Sequence, residues 1–183
     1  NSEGGSVFDG FAISTLLRDS ASHVTAYIDG LCASAASYIA AAADEVVMSD
    51  LAWMMIHEAS GFVWGTKADM RKQADVLESI DGTIARAYAA RSETADAEEF
   101  AQLMQEETWM DAKTAKAYGL VDRIAAGLPV AAAIDLRGLN ALDSAPIEAR
   151  AALAAMGRAG DTEGNIDLDD GDGADAQAEE PAP

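Results

Sequence analysis

Hydrophobic and polar positions along the first two thirds of the chain switch between helical and strand-like spacing. Phe8, Phe11, Ile13, Leu16 and Leu17 are the apolar members of a predicted helix from Val7 to Leu17. His23-Val24-Thr25-Ala26-Tyr27-Ile28 is β-rich and predicts a short strand, which Gly30 breaks. Ser34 to Ala43 reads as a small-residue helix, buried on several sides. Glu45-Val46-Val47-Met48 and Trp53-Met54-Met55-Ile56 predict two more strands, the second ending at His57. Thr66 with Asp69 resembles a capping box and opens a long helix to about Arg91. Met70, Ala74, Leu77, Ile80, Ile84, Ala87 and Tyr88 recur along it at three and four. Asp96 with Glu99 starts a helix carrying Phe100, Leu103 and Met104. Asp111 caps a last short helix that stops at Gly119, and Leu120 to Ile124 closes as a strand. This alternation predicts an α/β domain with right-handed crossovers.

The pattern fades near Gly157. From Asp161 onward there are nine acidic residues and no Lys or Arg. Such a segment lacks the apolar surface to offset its ordering entropy, so residues 161–183 are expected to form a disordered tail. Residues 136–160 read as a linker or weakly helical appendage, which leaves residues 1–135 as the folded domain. Half of the 183 residues are hydrophobic, enough for a sizeable core, and the formal net charge is -20. That charge opposes every approach to a phosphate, which argues against nucleic-acid and anionic-membrane partners. No stretch approaches the roughly 18 apolar residues of a membrane span. The first residues do not read as a signal segment. The chain starts at Asn1 without a Met, and an N-terminal truncation is expected.

Cys32 is the single cysteine, so no intrachain disulfide can form. Two histidines and one cysteine are too few for a zinc site. Asp167-Leu168-Asp169-Asp170-Gly171-Asp172 departs from a calcium loop at Gly171 and lacks the closing glutamate. No cofactor or metal is expected.

Ser34 lies where a strand gives way to a helix, among small neighbours, in Gly30-Leu31-Cys32-Ala33-Ser34-Ala35-Ala36-Ser37. A hydroxyl there sits beside unpaired helix N–H groups, which a nucleophile's oxyanion requires. His57, at a strand end, suits a general base, whereas His23 begins a strand and is set apart from Ser34 by its length. Gly4-Gly5 allows a backbone N–H to approach a substrate closely. Glu106, Glu107 and Asp111 each offer a carboxylate to orient a histidine, and the residues alone do not choose among them. Taken singly, each of these groups also has an ordinary structural role: a helix cap, a hydrogen-bonded histidine, a turn, a solvated acid.

Taken in order, the motifs resemble the ClpP family of serine peptidases. Asn1-Ser2-Glu3-Gly4-Gly5-Ser6-Val7 resembles the family's Asn-Ser-Pro-Gly-Gly-Ser-Val, with Glu3 in place of proline. Gly30 to Ser34 resembles its nucleophile segment, Met54-Met55-Ile56-His57 its Met-Ile-His, and Ala115 to Asp122 its closing Ala-x-x-Tyr-Gly-Leu-Val-Asp. The likeness covers about residues 1–125. It implies a ClpP/crotonase-like spiral of ββα units with a long handle helix, here without the family's N-terminal strands and with an exposed sheet edge. It also implies Ser34 as nucleophile, His57 as base, and the N–H groups of Gly5 and Ala35 as the oxyanion hole. Glu107 stands where the family has an Asp. Ring-forming homo-oligomers, a protein or peptide substrate and a cytoplasmic location follow from the same likeness.

A narrower resemblance is to the ClpP-related peptidases of phages and prophages, through Val7 to Ile13, Asp29 to Ser37, Gly65 and Glu107-Thr108-Trp109. It implies head maturation, with scaffold or capsid protein as substrate in a bacterial host's cytoplasm. A housekeeping degradation subunit with an ATPase partner is the alternative, as is an inert structural subunit. A crotonase-type acyl-CoA enzyme shares the architecture but needs no Ser-His pair. A Ser-Lys enzyme fits less well, because Lys67 and Lys72 fall at or within the long helix.

Overall fold

A computed structural model describes residues 1–126 and residue 147. The rest of the expected linker and the whole expected acidic tail lie outside the described residues. In chain order the elements are α1 (Val7–Arg18), β1 (Thr25–Ile28), β2 (Leu31–Ala33), α2 (Ala35–Ala41), β3 (Glu45–Ser49) and β4 (Trp53–Ile56). They continue with α3 (Lys67–Arg91), α4 (Ala97–Gln105), β5 (Thr108–Asp111), α5 (Ala112–Ala117) and β6 (Arg123–Ala125).

Two consecutive ββα units form the frame, β1-β2-α2 and β3-β4-α3. Each unit gives its first strand to one three-stranded sheet, ordered β1-β3-β6, and its second to another, ordered β2-β4-β5. The pairs are parallel except β4 with β5. The Asp29-Gly30 and Asp50-Leu51-Ala52 turns carry the chain from one sheet to the other. The expected α/β spiral is therefore present. Parallel strands covered on both faces read as continuous apolar runs, and Leu31 to Ala33 and Met54 to Ile56 are buried at every position. The core joins these strands to α3 and α4 through Tyr88, Phe100, Met104 and Met110, all at most 1% exposed.

The caps behave as their residue types dictate. Thr66 and Asp69 bond reciprocally at the start of α3. The Asp96 carboxylate accepts from the N–H groups of Glu98 and Glu99. Asp111 accepts from the N–H of Thr114, and hydrogen bonding from the Thr114 side chain, then from its backbone, holds the Asp111 carboxyl below the ordinary range. Gly119 ends the α5 turn at φ +72°.

Several expectations need correction. The strand after Gly30 was not anticipated: Leu31 to Ala33 are only three residues long and too uniform to show alternation. β5 lies in a stretch expected to carry only acidic candidates, because its four residues gain strand character from pairing with β4. The closing strand starts later, at Arg123, since the Asp122 carboxylate accepts from the N–H of Val46 before the ladder begins. The α2 helix is shorter than Ser34 to Ala43, running from Ala35 to Ala41. The apolar stripe of α3 is buried at Ile84 and Tyr88, but Met70, at its other end, is 51% exposed. Helical periodicity marks an apolar face without saying what covers it.

No helix among the described residues is long and apolar enough to cross a membrane. None of them form a cluster of His, Cys, Asp or Glu suited to a metal. Cys32 is buried, and burial pushes its thiol up to about 12, so it serves as a small apolar core residue.

Candidate active site

Ser34 follows β2 directly and His57 follows β4 directly. These strands are parallel neighbours, in register at Ala33 and Met55, so both residues emerge at the same carboxyl-terminal edge. That edge is where open parallel sheets present ligand-binding groups. The Nε2 atom of His57 lies 2.8 Å from the Oγ of Ser34. An imidazole accepting there carries its proton on Nδ1.

The backbone of Ser34 is strained, at φ 54° and ψ -127°. A non-glycine residue in such a region costs about 1–3 kcal/mol, and its surroundings must hold it. Ladder bonds do so on one side, since the N–H of Ser34 donates to the carbonyl of Met55 at 2.9 Å. On the other side the Ser34 carbonyl accepts from the N–H of Ser37 at 3.0 Å and from its Oγ at 2.5 Å. Ser34 caps α2 by position alone, because its side chain makes no capping bond. Its hydroxyl faces the histidine instead.

His57 is fixed by its neighbours. The N–H of Glu58 donates to the carbonyl of Met104, and that of Ala59 to the carboxylate of Asp81 on α3. The loop after β4 is thus tied to α4 and α3 within two residues of the imidazole.

The segment before α1 runs beside β2 as a short extra strand. Ser2 exchanges backbone bonds with Leu31 and Ala33 on either side of Cys32, and the Asn1 side chain accepts from the N–H of Leu31. This pairing carries Gly4 onto the serine turn. A Cβ on Gly4 would lie 2.6 Å from Ser34 Cβ, 2.7 Å from the Ala33 carbonyl oxygen and 2.9 Å from the Ala35 nitrogen. Only glycine fits there, and φ is +101° as well. Gly5 follows at the mouth of the site. Its N–H has no hydrogen-bond partner among the described residues, and neither has that of Ala35, the first residue of α2. Gly5, Val7, Ser34, Ala35, His57 and Ser60 line one small cleft of about 80 Å³. A larger cavity of about 610 Å³ lies away from this pair, between α1, α2 and α3.

The three acidic candidates separate. Asp111 is committed to the cap of α5, and the Glu106 side chain to Gln102 on its own helix, at 2.5 Å. Glu107 precedes Thr108, the β5 partner of Ile56, just as His57 follows Ile56, so both stand at the same end of the β4–β5 pair. Its carboxylate accepts from Trp109 Nε1 at 3.4 Å, and its φ is +49°. His23 is elsewhere, at the surface beside Asp44. Sequence reading missed Gly4's contact with Ser34 and the bonds of Ser37 to the Ser34 carbonyl. The position of Ser37, three residues after a serine at a strand-to-helix junction, was the available signal.

A serine hydroxyl at a strained strand-to-helix turn, 2.8 Å from an imidazole and in one cleft with Gly5 and Ala35, whose N–H groups are unpaired among the described residues, gives this α/β fold the groups that nucleophilic attack on a carbonyl requires. The family model of Clp protease matches residues 1–127. The chain belongs to the Clp protease family. It is 35% identical over 130 residues to the ATP-dependent Clp protease proteolytic subunit of Pleurastrum terricola, covering 69% of this chain and 65% of that protein. Against proteolytic subunit 1 of Streptomyces avermitilis it is 32% identical over 130 residues, covering 70% and 59%. Against proteolytic subunit 2 of Corynebacterium glutamicum it is 31% identical over 129 residues, covering 68% and 62%. The chain thus spans about three fifths to two thirds of the length of these curated relatives.

Proposed function

We propose that this protein hydrolyses peptide bonds as a serine endopeptidase, with Ser34 as nucleophile and His57 as general base. The 2.8 Å contact between their side chains carries the reading. Ser34 Oγ attacks the substrate carbonyl carbon as His57 Nε2 takes the hydroxyl proton. The oxyanion is met by the N–H groups of Gly5 and Ala35. The C–N bond then breaks, and His57 passes its proton to the leaving amine. Water enters, gives a proton to His57, and its oxygen attacks the acyl carbon. The acid product leaves as the proton returns to Ser34 Oγ. Glu107 orients the Nδ1–H of His57 in this scheme, supported by its place at the strand end and by the other commitments of Glu106 and Asp111.

Labelling by a fluorophosphonate tests the assignment. The whole protein is expected to label and its Ser34→Ala form not to. Glu107→Gln should label more slowly than the parent but faster than Ser34→Ala. Equal, negligible effects of these substitutions sink the assignment.

For the biological setting, head maturation is favoured by Glu107-Thr108-Trp109 and by the acidic segment, whose charge suits basic scaffold or capsid regions. The names of the relatives favour a degradation subunit instead. A ring of identical subunits belongs to either setting, and exposed Phe62, Trp64, Met70 and Val76, on and just before α3, offer apolar surface for assembly. One preparation addresses both points. Sedimentation should give an oligomer, and digestion of the scaffold or capsid protein should stop at a few discrete products. A strict monomer removes the ring, and degradation to short peptides that requires an ATPase removes the maturation reading.

A further inference from the structure

We infer that Ser37 and Tyr88 are positioning residues that aim the Ala35 N–H into the oxyanion site through the carbonyl of Ser34. The inference rests on the serine-peptidase reading and deepens it.

The Ser34 carbonyl and the Ala35 N–H belong to one peptide unit. That unit is planar, and in its trans form the C=O and N–H point in opposite directions. Fixing the carbonyl therefore fixes the N–H. The carbonyl is gripped from inside the protein by the Ser37 hydroxyl at 2.5 Å. Ser37 is fully buried. Its one hydroxyl hydrogen goes to Ser34, so the 2.7 Å contact between Ser37 Oγ and Tyr88 Oη is donated by the tyrosine. Tyr88 is 1% exposed on the buried half of α3 and packs against Phe100, with ring centroids 5.5 Å apart. Burial pushes its phenol above the ordinary range, which keeps the donor protonated.

A chain of donors thus runs from the core to the serine turn: Tyr88 O–H to Ser37, Ser37 O–H to Ser34 C=O. Its far end leaves the Ala35 N–H pointing outward, unpaired, at the cleft. Donation to a carbonyl also polarises the amide and strengthens its N–H as a donor. The strained φ and ψ of Ser34 make this grip necessary, because a relaxed turn would rotate the same peptide plane.

The effect is specific to the transition state, where negative charge appears on the substrate oxygen. Ser37→Ala should lower kcat about 10- to 100-fold, in line with the cost of misplacing a catalytic group by an ångström or less, while KM stays within about twofold. Tyr88→Phe keeps the packing and should lower kcat about 3- to 10-fold with the same split, since it loosens the grip without removing it. A peptide aldehyde, whose adduct with Ser34 places an oxygen in the oxyanion site, should lose affinity by the same factor as kcat. A product peptide should bind unchanged. Thermal melting monitors folding, and Tyr88→Phe carries the test if Ser37→Ala does not fold. Unchanged kcat in the folded variants overturns the inference and leaves the peptidase reading standing. So does equal weakening of aldehyde and product peptide, which marks a merely structural role. Failure of the parent itself to label or cleave overturns both.

Discussion

Replacing Ser34 with alanine is expected to lower peptide hydrolysis by about four to six orders of magnitude, and replacing His57 as well to lower it little further. The two side chains act as one unit. With the hydroxyl gone, the imidazole has no proton to accept for attack. With the imidazole gone, the hydroxyl remains protonated and weakly nucleophilic near neutral pH. The 2.8 Å contact is the physical basis for that coupling. Steady-state rates of Ser34→Ala, His57→Ala and the double variant measure it. Residual activity reflects the two backbone donors, which both substitutions leave in place. Losses that multiply in the double variant would show that the residues contribute independently, and the pair would not be the reacting unit.

Gly4→Ala should lower kcat/KM about 100-fold or more and reduce stability by about 1–3 kcal/mol. Two effects combine. The backbone at φ +101° disfavours any side chain, and an added Cβ would overlap the Ser34 turn at three atoms, two of them backbone. The segment must lift away from Ser34 and Ala35, and it takes the Gly5 N–H with it. Gly5→Ala is the control. Its Cβ would meet nothing within 4 Å, so only the strain of φ +154° remains and the loss should be smaller. Cleavage of a fluorogenic peptide, with thermal melts of the same samples, reads both quantities. If Gly4→Ala retains full activity, the loop does not supply an oxyanion donor.

Much of the fold was legible because it is written in local chemistry. The capping pair Thr66-Asp69, the Asp96 and Asp111 caps and the Gly119 stop each act within four residues, and each is found as expected. Ser34 and His57 were singled out by the order of the family motifs around them. Their meeting at one sheet edge follows from the parallel pairing of β2 with β4. What stayed hidden depends on partners remote in sequence. β2 and β5 are too short to announce themselves and exist through pairing with β4. The α3 stripe looks uniform, yet only its second half is buried.

The sequence by itself determined the helices, the strands other than β2 and β5, and the family likeness of the motifs, since short-range propensity and motif order need no fold. The motif likeness already points to Glu107. The tertiary structure alone shows that Glu106 bonds Gln102, that Asp111 caps α5 and that Glu107 stands with His57 at one end of the β4–β5 pair, because hydrogen-bond partners and strand pairing are invisible in composition. Only it packed Gly4 against Ser34 and linked Ser37 to Tyr88 across 51 positions. Contacts over such separations follow from how sheets and helices close around a common core, and no local rule encodes them.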